Sequence, residues 1–466
     1  MFSSPLFKGL LASQFLFKLA HAAVDTSSLS PLLSPGAVID NNAPRWSEYE
    51  APHPGAVVHP ATEADVQKTV KWAIDHNITF LTQNGGNGWV TTFDIECDDI
   101  IINLDLLRSV AFNDDKTQAT VAGGALISDV IQAASSNSVL VATGSCNCVG
   151  FLGAVLGGGL GVLQGEYGLG VDELLSLNVV DANGNAITVT PSNKDLWFAL
   201  RGAAPNFGIV TSATVQAHPV PPAGLTAWTG ALIFTPPQLE AVIAAAGNLS
   251  LTAQMALTLT FANAPATNSQ SIVAAVWYYG TADAGRAAFK SLLDIGPVTN
   301  TTTVAPYTSW NNGSNNACVK GGRRPTWGAG LQTMDPAVWR QVFDVWRELA
   351  LKPGAERSSI LVNAYSTEKV RSVSDASSAV PWRRTINFHA QITAFYTDPA
   401  FDSRAISYGQ RVRELWRKSD KSCRVYINNA LGDESKESIY GIHLRKLTAL
   451  KRKYDPHRRF AQWFPL

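Results

Sequence analysis

The sequence predicts an α+β protein of at least two domains. Three observations carry that prediction. The chain has 466 residues, more than one hydrophobic core usually serves, since a domain holds roughly 100–200 residues. From about Pro52 to Pro221, strand-like and helix-like segments alternate, the pattern of α/β units. Beyond Pro219 the texture changes to longer strand-like runs, with helices between them and antiparallel-looking spacing, which reads as a second, α+β unit.

Taken in order, residues 1–22 combine a weakly basic start, an apolar stretch from Gly9 to Leu19 and a small-residue ending at Ala20-His21-Ala22. This is the form of a secretory signal peptide, and it is too short for a membrane span. Asn-x-Ser/Thr sequons at Asn77, Asn248, Asn300 and Asn312 fit the same secreted, glycosylated destination. Thr62 followed by Asp65 predicts a capped helix start, with Val66, Val70 and Ile74 on one face. Ile78–Thr82 and Asp99–Leu104 read as strands, Val110–Val121 as two strands joined at Asn113-Asp114-Asp115, and Leu126–Ala134 as a helix. Leu174–Val180 and Ile187–Val189 flank Asn183-Gly184 as a hairpin. In the second unit, residues 228–234, 271–279 and 385–392 are strand-like, and helices are expected over Pro237–Ala246, Asp283–Leu293 and Pro336–Leu351. A last helix carries Tyr440, Leu444, Leu447, Leu450 and Tyr454 on one face, with Pro456 past its end.

Composition excludes several functions. Lys and Arg number 37 and are cancelled by 37 Asp and Glu, so the chain has no net basic charge for nucleic acid. Five cysteines are too few for a disulfide scaffold, and no CxxC pair marks structural zinc. The expectation is a globular, monomeric enzyme with no nucleic-acid or membrane partner.

Two glycine-rich loops carry the chemistry. One is Asn84-Gly85-Gly86-Asn87-Gly88, directly after a predicted strand. The other runs from Gly144-Ser145-Cys146 through Val149-Gly150 and Gly153 to Gly157-Gly158-Gly159 and Gly161. Glycine brings backbone N–H groups close to a ligand, and a run of them forms a nest for phosphate. Two such loops about 60 residues apart could hold two parts of one long cofactor. Gly159-Leu160-Gly161 lacks the strand, helix and downstream acid of a nicotinamide fingerprint.

With further motifs, these residues resemble the berberine-bridge-enzyme-like flavoproteins of the vanillyl-alcohol-oxidase superfamily, most closely their fungal secondary-metabolite members. The motifs are Pro54-Gly55-Ala56-Val57-Val58, Asp195-Leu196-Trp197, Asn206-Phe207-Gly208-Ile209-Val210, Tyr426-Ile427-Asn428, Tyr440-Gly441 and Tyr454-Asp455-Pro456. The resemblance implies a PCMH-type FAD-binding domain of two α/β subdomains at 51–220. It also implies a substrate domain with an antiparallel sheet backed by helices at 221–430, and a segment at 431–466 returning to the FAD domain. The implied cofactor set is both glycine loops with Gly208, Ile209 and Asn428. The implied activity is oxidation of a small, polyketide-like natural product, with dioxygen as electron acceptor. A non-redox cyclase or isomerase of the same fold is the alternative.

The sequence departs from the family twice. Members often attach FAD through a His and a Cys; here Asn87 stands at the His position, which an amide cannot replace, and Cys146 stands at the Cys position. At most one covalent bond, through Cys146, is expected. Cys97, Cys148, Cys318 and Cys423 then allow three pairings. In the second departure, Asn429 follows Asn428 where the family often has a catalytic Tyr on a strand, and an amide has no pKa suited to a base. His389 is the replacement base the sequence offers, although a histidine on an apolar strand also reads as a core group. Tyr365, Arg383 and Arg384 could line the pocket or serve as surface and hydrogen-bonding groups.

Overall fold

The computed structural model describes residues 24–264, 268–420 and 424–466. The predicted signal peptide, residues 1–22, and Cys423 lie outside the described residues.

The first sheet has the order Val38–Asp40, Ala56–His59, Ile100–Asn103, Phe80–Gln83. Its last three strands are parallel, and Ile100, Ile101 and Ile102 are all fully buried. Burial on both faces is why this strand reads as an unbroken apolar run. Helix Glu63–Asp75 forms one crossover. Thr62 Oγ1 accepts the Asp65 N–H at 3.1 Å, and Asp65 Oδ2 accepts the Thr62 N–H at 3.0 Å. Such a reciprocal cap contributes about 1 kcal/mol.

The second sheet is antiparallel, in the order Val110–Phe112, Gln118–Ala122, Ile209–Gln216, Leu174–Val180, Ala186–Val189. Its last two strands are joined by the Asn183-Gly184 turn, where Gly184 takes φ +74°.

The third sheet is larger and antiparallel. Its main path is Thr299–Asn300, Thr226–Phe234, Gln270–Tyr278, Met255–Asn263, Ser359–Tyr365, Phe388–Thr393, Thr326–Leu331. Alternation along Met255–Asn263 shows its two faces. Leu257, Leu259 and Phe261 are buried in a core with Trp339, Phe343 and Trp346 of helix Pro336–Ala350. Ala256, Thr258, Thr260 and Ala262 face a large cavity. Helix Asp402–Ser419 covers the same core, with Gly409 so close to the Trp327 ring that a Cβ would meet it at 2.0 Å.

Three local expectations are corrected. Tyr426-Ile427-Asn428 is not a strand: residues Ile427–Asn429 form a 3-10 turn. The helix expected over Asp283–Leu293 is two pieces, Ala282–Ala288 and Lys290–Leu293, broken at Phe289, whose ring is fully buried. The last helix begins at Leu444, because Lys436–Tyr440 is a separate short helix ended by Gly441 at φ +52°.

The C-terminal segment packs back on the first half of the chain. Lys451 Nζ donates to Asn206 O (2.7 Å), Asp455 Oδ2 (2.7 Å) and Phe460 O (2.6 Å). Among the described residues no helix is long and apolar enough to cross a membrane.

Candidate functional site

The two glycine loops and the open face of the large sheet enclose one cavity of about 1810 Å³. That is more than a drug-sized ligand needs, since such pockets are roughly 300–1,000 Å³. Its size and its two chemically different walls suit a long cofactor with a substrate beside it.

The first loop leaves strand Phe80–Gln83. Gly86 takes φ +67°, which a side chain would strain, and its carbonyl accepts the Trp46 N–H at 2.9 Å. Arg45 braces the loop, donating from Nη1 to Gln83 Oε1 (2.6 Å) and from Nη2 to Gly88 O (2.7 Å). Asn84 Nδ2 donates to Gly123 O at 2.8 Å. Arg45 gave no signal in the sequence, because it lies in a stretch without periodicity.

The second loop touches the first. A Cβ on Gly85 would sit 2.8 Å from Cys148 O and 2.9 Å from Gly150 N. Asn87 turns its amide nitrogen to Cys148 O (3.1 Å) and Gly85 O (2.8 Å), so it knits the loops together at the position where a His would carry a flavin bond. The loop is strapped from the other side by residues 311–318. Asn311 Nδ2 donates to Gly144 O (3.1 Å), Ser314 Oγ to Ser145 O (2.7 Å), and Cys148 forms a disulfide with Cys318. This excludes the two pairings that join Cys148 to Cys97 or to Cys423. Cys97 is a free thiol.

Asn84, Gly85, Gly86, Asn87, Gly88, Gly144, Ser145, Cys146, Val149, Gly150, Gly153, Gly157, Gly208, Ile209 and Asn428 all line the cavity. Gly158, Gly159 and Gly161 do not. Gly159, at φ +78°, donates its N–H to Tyr426 Oη (3.2 Å). A Cβ on Gly161 would lie 1.8 Å from Thr143 O. These glycines allow backbone to pack on backbone behind the wall.

The test of FAD against this site is whether the wall leaves room and donors. A Cβ at Gly85, Gly150 or Gly157 would strike Cys148 O, Asn84 or Asn428, so only glycine keeps the loops this tight. The resulting wall offers backbone polar groups rather than side chains, which is what a diphosphate needs. The residues fit FAD.

Cys146 lies on the cavity wall as a half-buried free thiol. Burial pushes its pKa up. Its Sγ is 3.7 Å from Cys148 Sγ and 4.0 Å from Cys318 Sγ.

The expected base does not reach the cavity. His389 is 3% exposed and is not among the lining residues. Its ring packs edge-on against Trp382 (4.8 Å) and Tyr426 (5.7 Å), and burial lowers its pKa to about 3. A base must touch the proton it removes, and here Tyr426, which lines the cavity, and Trp382 pack against the His389 ring. Arg383 is wholly buried against Asp172, and Arg384 sits at the surface against Asp375.

Tyr365 does line the cavity. It ends strand Ser359–Tyr365 beside the Cys146 loop, and burial raises its pKa to about 12, with the Ser145 side chain opposing that shift. Tyr426 also lines it, but its hydroxyl is fully engaged by Gly159 N, Asn428 Nδ2 (2.8 Å) and Ala154 O (3.3 Å).

Known proteins resemble this chain in sequence and fold. Residues 54–190 match the FAD binding domain family. The FAD-linked oxidoreductase OXR1 of Pyricularia oryzae is 33% identical over 90% of this chain and 85% of its own. The FAD-linked oxidoreductase hasG of Aspergillus fumigatus is 31% identical over 88% of this chain and 91% of its own. The solved structure of wild-type BBE-like 1 from Physcomitrella patens superposes with a TM-score of 0.81 at 20% identity, covering 94% of this chain and 98% of that one.

Proposed function

The chain belongs to the family of fungal FAD-linked oxidoreductases, and on that premise we propose that it oxidises a small natural product in the cavity between its glycine loops and its large sheet. The observation that carries this reading is that one cavity joins both loops, Cys146 and Tyr365. Bound FAD supplies a two-electron acceptor, with dioxygen as the final oxidant. The chain's own part is to hold and orient. Gly85, Gly86 and Gly157 keep the wall open, Asn428 fixes the turn beneath it through Ala154 O (3.0 Å), and Cys146 offers the single point of covalent attachment.

Replacement of Cys146 by alanine is expected to convert retained flavin into released flavin. The measurement is acid precipitation of the yellow protein: wild type keeps colour in the pellet, and Cys146→Ala gives it to the supernatant. Flavin already released from the wild type would end the covalent reading.

Tyr365 is the group placed to accept a proton from substrate. With its pKa pushed up to about 12, it is protonated at neutral pH, and its ionised fraction grows as pH rises. Activity through it therefore climbs with pH across the alkaline range. Tyr365→Phe is expected to lower kcat about 100-fold and to abolish that climb, with a smaller effect on KM. An unchanged pH profile in the variant would exclude this role.

A second reading, a non-redox cyclisation or isomerisation on the same fold, is favoured by one observation. Among the described residues lining the cavity there is no His, Asp or Lys, and the one carboxylate, Glu356, accepts the Gly354 N–H at 3.0 Å through Oε1. Turnover without consumption of dioxygen would select it.

We also propose a secreted location. The disulfide supports it, since such bonds persist in oxidising compartments. So do Asn77, Asn248, Asn300 and Asn312, which are all exposed.

A further inference from the structure

Five arginines are buried among the described residues: Arg45, Arg201, Arg324, Arg383 and Arg413. Four of them donate to oxygen. Arg45 reaches Gln83 and Gly88, Arg201 and Arg383 reach Asp172, and Arg413 reaches Asp433. Arg324 is different. It is 3% exposed, and its Nε and Nη2 have no partner. Its neighbour in sequence, Arg323, takes the bidentate carboxylate of Asp402 instead.

Arg324 lines the cavity wall. Its guanidinium lies 4.7 Å from the Trp46 ring centre and 4.8 Å from that of Phe395. A second arginine, Arg357, lies 4.1 Å from the same Phe395 ring, lines the same cavity and has no ion pair among the described residues. The ring contacts hold both positive groups in place without neutralising either. Burial and the charge of Arg357 lower the pKa of Arg324 to about 10, and Glu48 opposes that shift without closing to an ion pair. Glu356, the other carboxylate at this end, is turned to the Gly354 N–H.

The floor here is a polar row. Thr326, Thr393 and Ser359 are aligned across three strands, and Thr393 and Ser359 line the cavity. A guanidinium 3% exposed with unpartnered nitrogens is costly to the free protein. That cost is recovered when an anion enters, and the planar fork of arginine suits a carboxylate.

We propose that Arg324 and Arg357 form an anion subsite of the substrate cavity, and that the substrate is an organic acid held there by its carboxylate. This deepens the reading of the cavity as a substrate pocket and rests on it. The subsite lies at the end of the strands opposite Tyr365. Six residues of strand separate Ser359 from Tyr365, roughly 20 Å at about 3.3 Å per residue. The acid group is therefore an anchor away from Tyr365, not a reacting group there.

The experiment is calorimetric titration of the FAD-loaded protein with cinnamate and decanoate, each beside its methyl ester. At least one acid is expected to bind about tenfold or more tightly than its ester, the scale of a charge-assisted hydrogen bond. Arg324→Met is expected to erase the difference while FAD content stays that of the wild type, and Arg324→Lys to restore part of it. Equal binding of acid and ester, no binding of either acid at millimolar concentration, or an acid preference that survives Arg324→Met would overturn the assignment. If Arg324→Met does not fold, Arg357→Met, at an exposed position, must reduce the same preference. Flavin content is read separately. Protein that holds no FAD would end the oxidoreductase reading, while the acid–ester comparison on that same protein would still decide the subsite.

Discussion

The double variant Cys148→Ala/Cys318→Ala is expected to lose up to about 5 kcal/mol of stability. The bond spans 170 residues, and closing a loop of that length restricts the unfolded chain by roughly this amount in the chain-entropy account. Measured losses fall near 2–5 kcal/mol, so a result inside that range agrees. The bond also joins the two halves of the site: Cys148 lies in the loop of Cys146, and Cys318 ends the 3-10 segment Asn312–Cys318. The hydrogen bonds from Asn311 and Ser314 to that loop remain in the variant, so the loop is loosened rather than released. Denaturant unfolding is the measurement, and an unchanged midpoint would refute the claim.

The single variant Cys148→Ala should behave differently. It frees Cys318 with its Sγ 4.0 Å from that of Cys146, close enough for these two to pair in its place. The substitute bond would restore much of the stability and occupy the thiol proposed for flavin attachment. Flavin released on acid precipitation, with near-normal stability, is the expected signature.

How much of this was legible beforehand depends on the kind of signal each residue leaves. The Thr62–Asp65 cap and the Asn183-Gly184 hairpin are local chemistry, and both formed where the sequence placed them. Strand Thr326–Leu331 left almost no signal. Its Gly328 and Gly330 weaken the strand pattern, yet they are required because Asn429 O and the Ile386 side chain would lie 2.4 and 2.2 Å from a Cβ there. That crowding comes from residues far along the chain, so no local pattern could announce it. His389 was misread for a similar reason. Its strand position was correctly extended, but the rings of Trp382 and Tyr426 that pack against it are brought in by tertiary packing. Lys320, Arg323 and Arg324 make a basic run that on its own resembles solvated surface, whereas the fold buries Arg324 between Trp46 and Phe395.

Asp172→Ala is the other substitution expected to be severe, at about 3–5 kcal/mol. Asp172 lies on the 3-10 turn Gly170–Glu173, and its side chain is 8% exposed. Arg383 grips it with both terminal nitrogens at 2.6 Å, and Arg201 adds a contact at 3.3 Å. The Arg383 side chain is 0% exposed. Removing the carboxylate leaves two buried guanidiniums facing each other, and uncompensated buried charge costs more than the pair itself contributed. Arg201 keeps Val171 O (3.0 Å) and Ser377 O (2.9 Å), and Arg383 keeps Ser378 Oγ (2.8 Å), but none of these acceptors carries charge. Arg383→Met is the informative partner. It removes one cation and leaves Asp172 paired with Arg201, so its loss should be clearly smaller than that of Asp172→Ala. Both variants remove the same bidentate contact. If the two unfold at the same denaturant concentration, the shared contact and not the stranded charge sets the loss. If Asp172→Ala is much the weaker, stranded charge dominates, and restoring neutrality with Asp172→Ala/Arg383→Met should recover part of the loss.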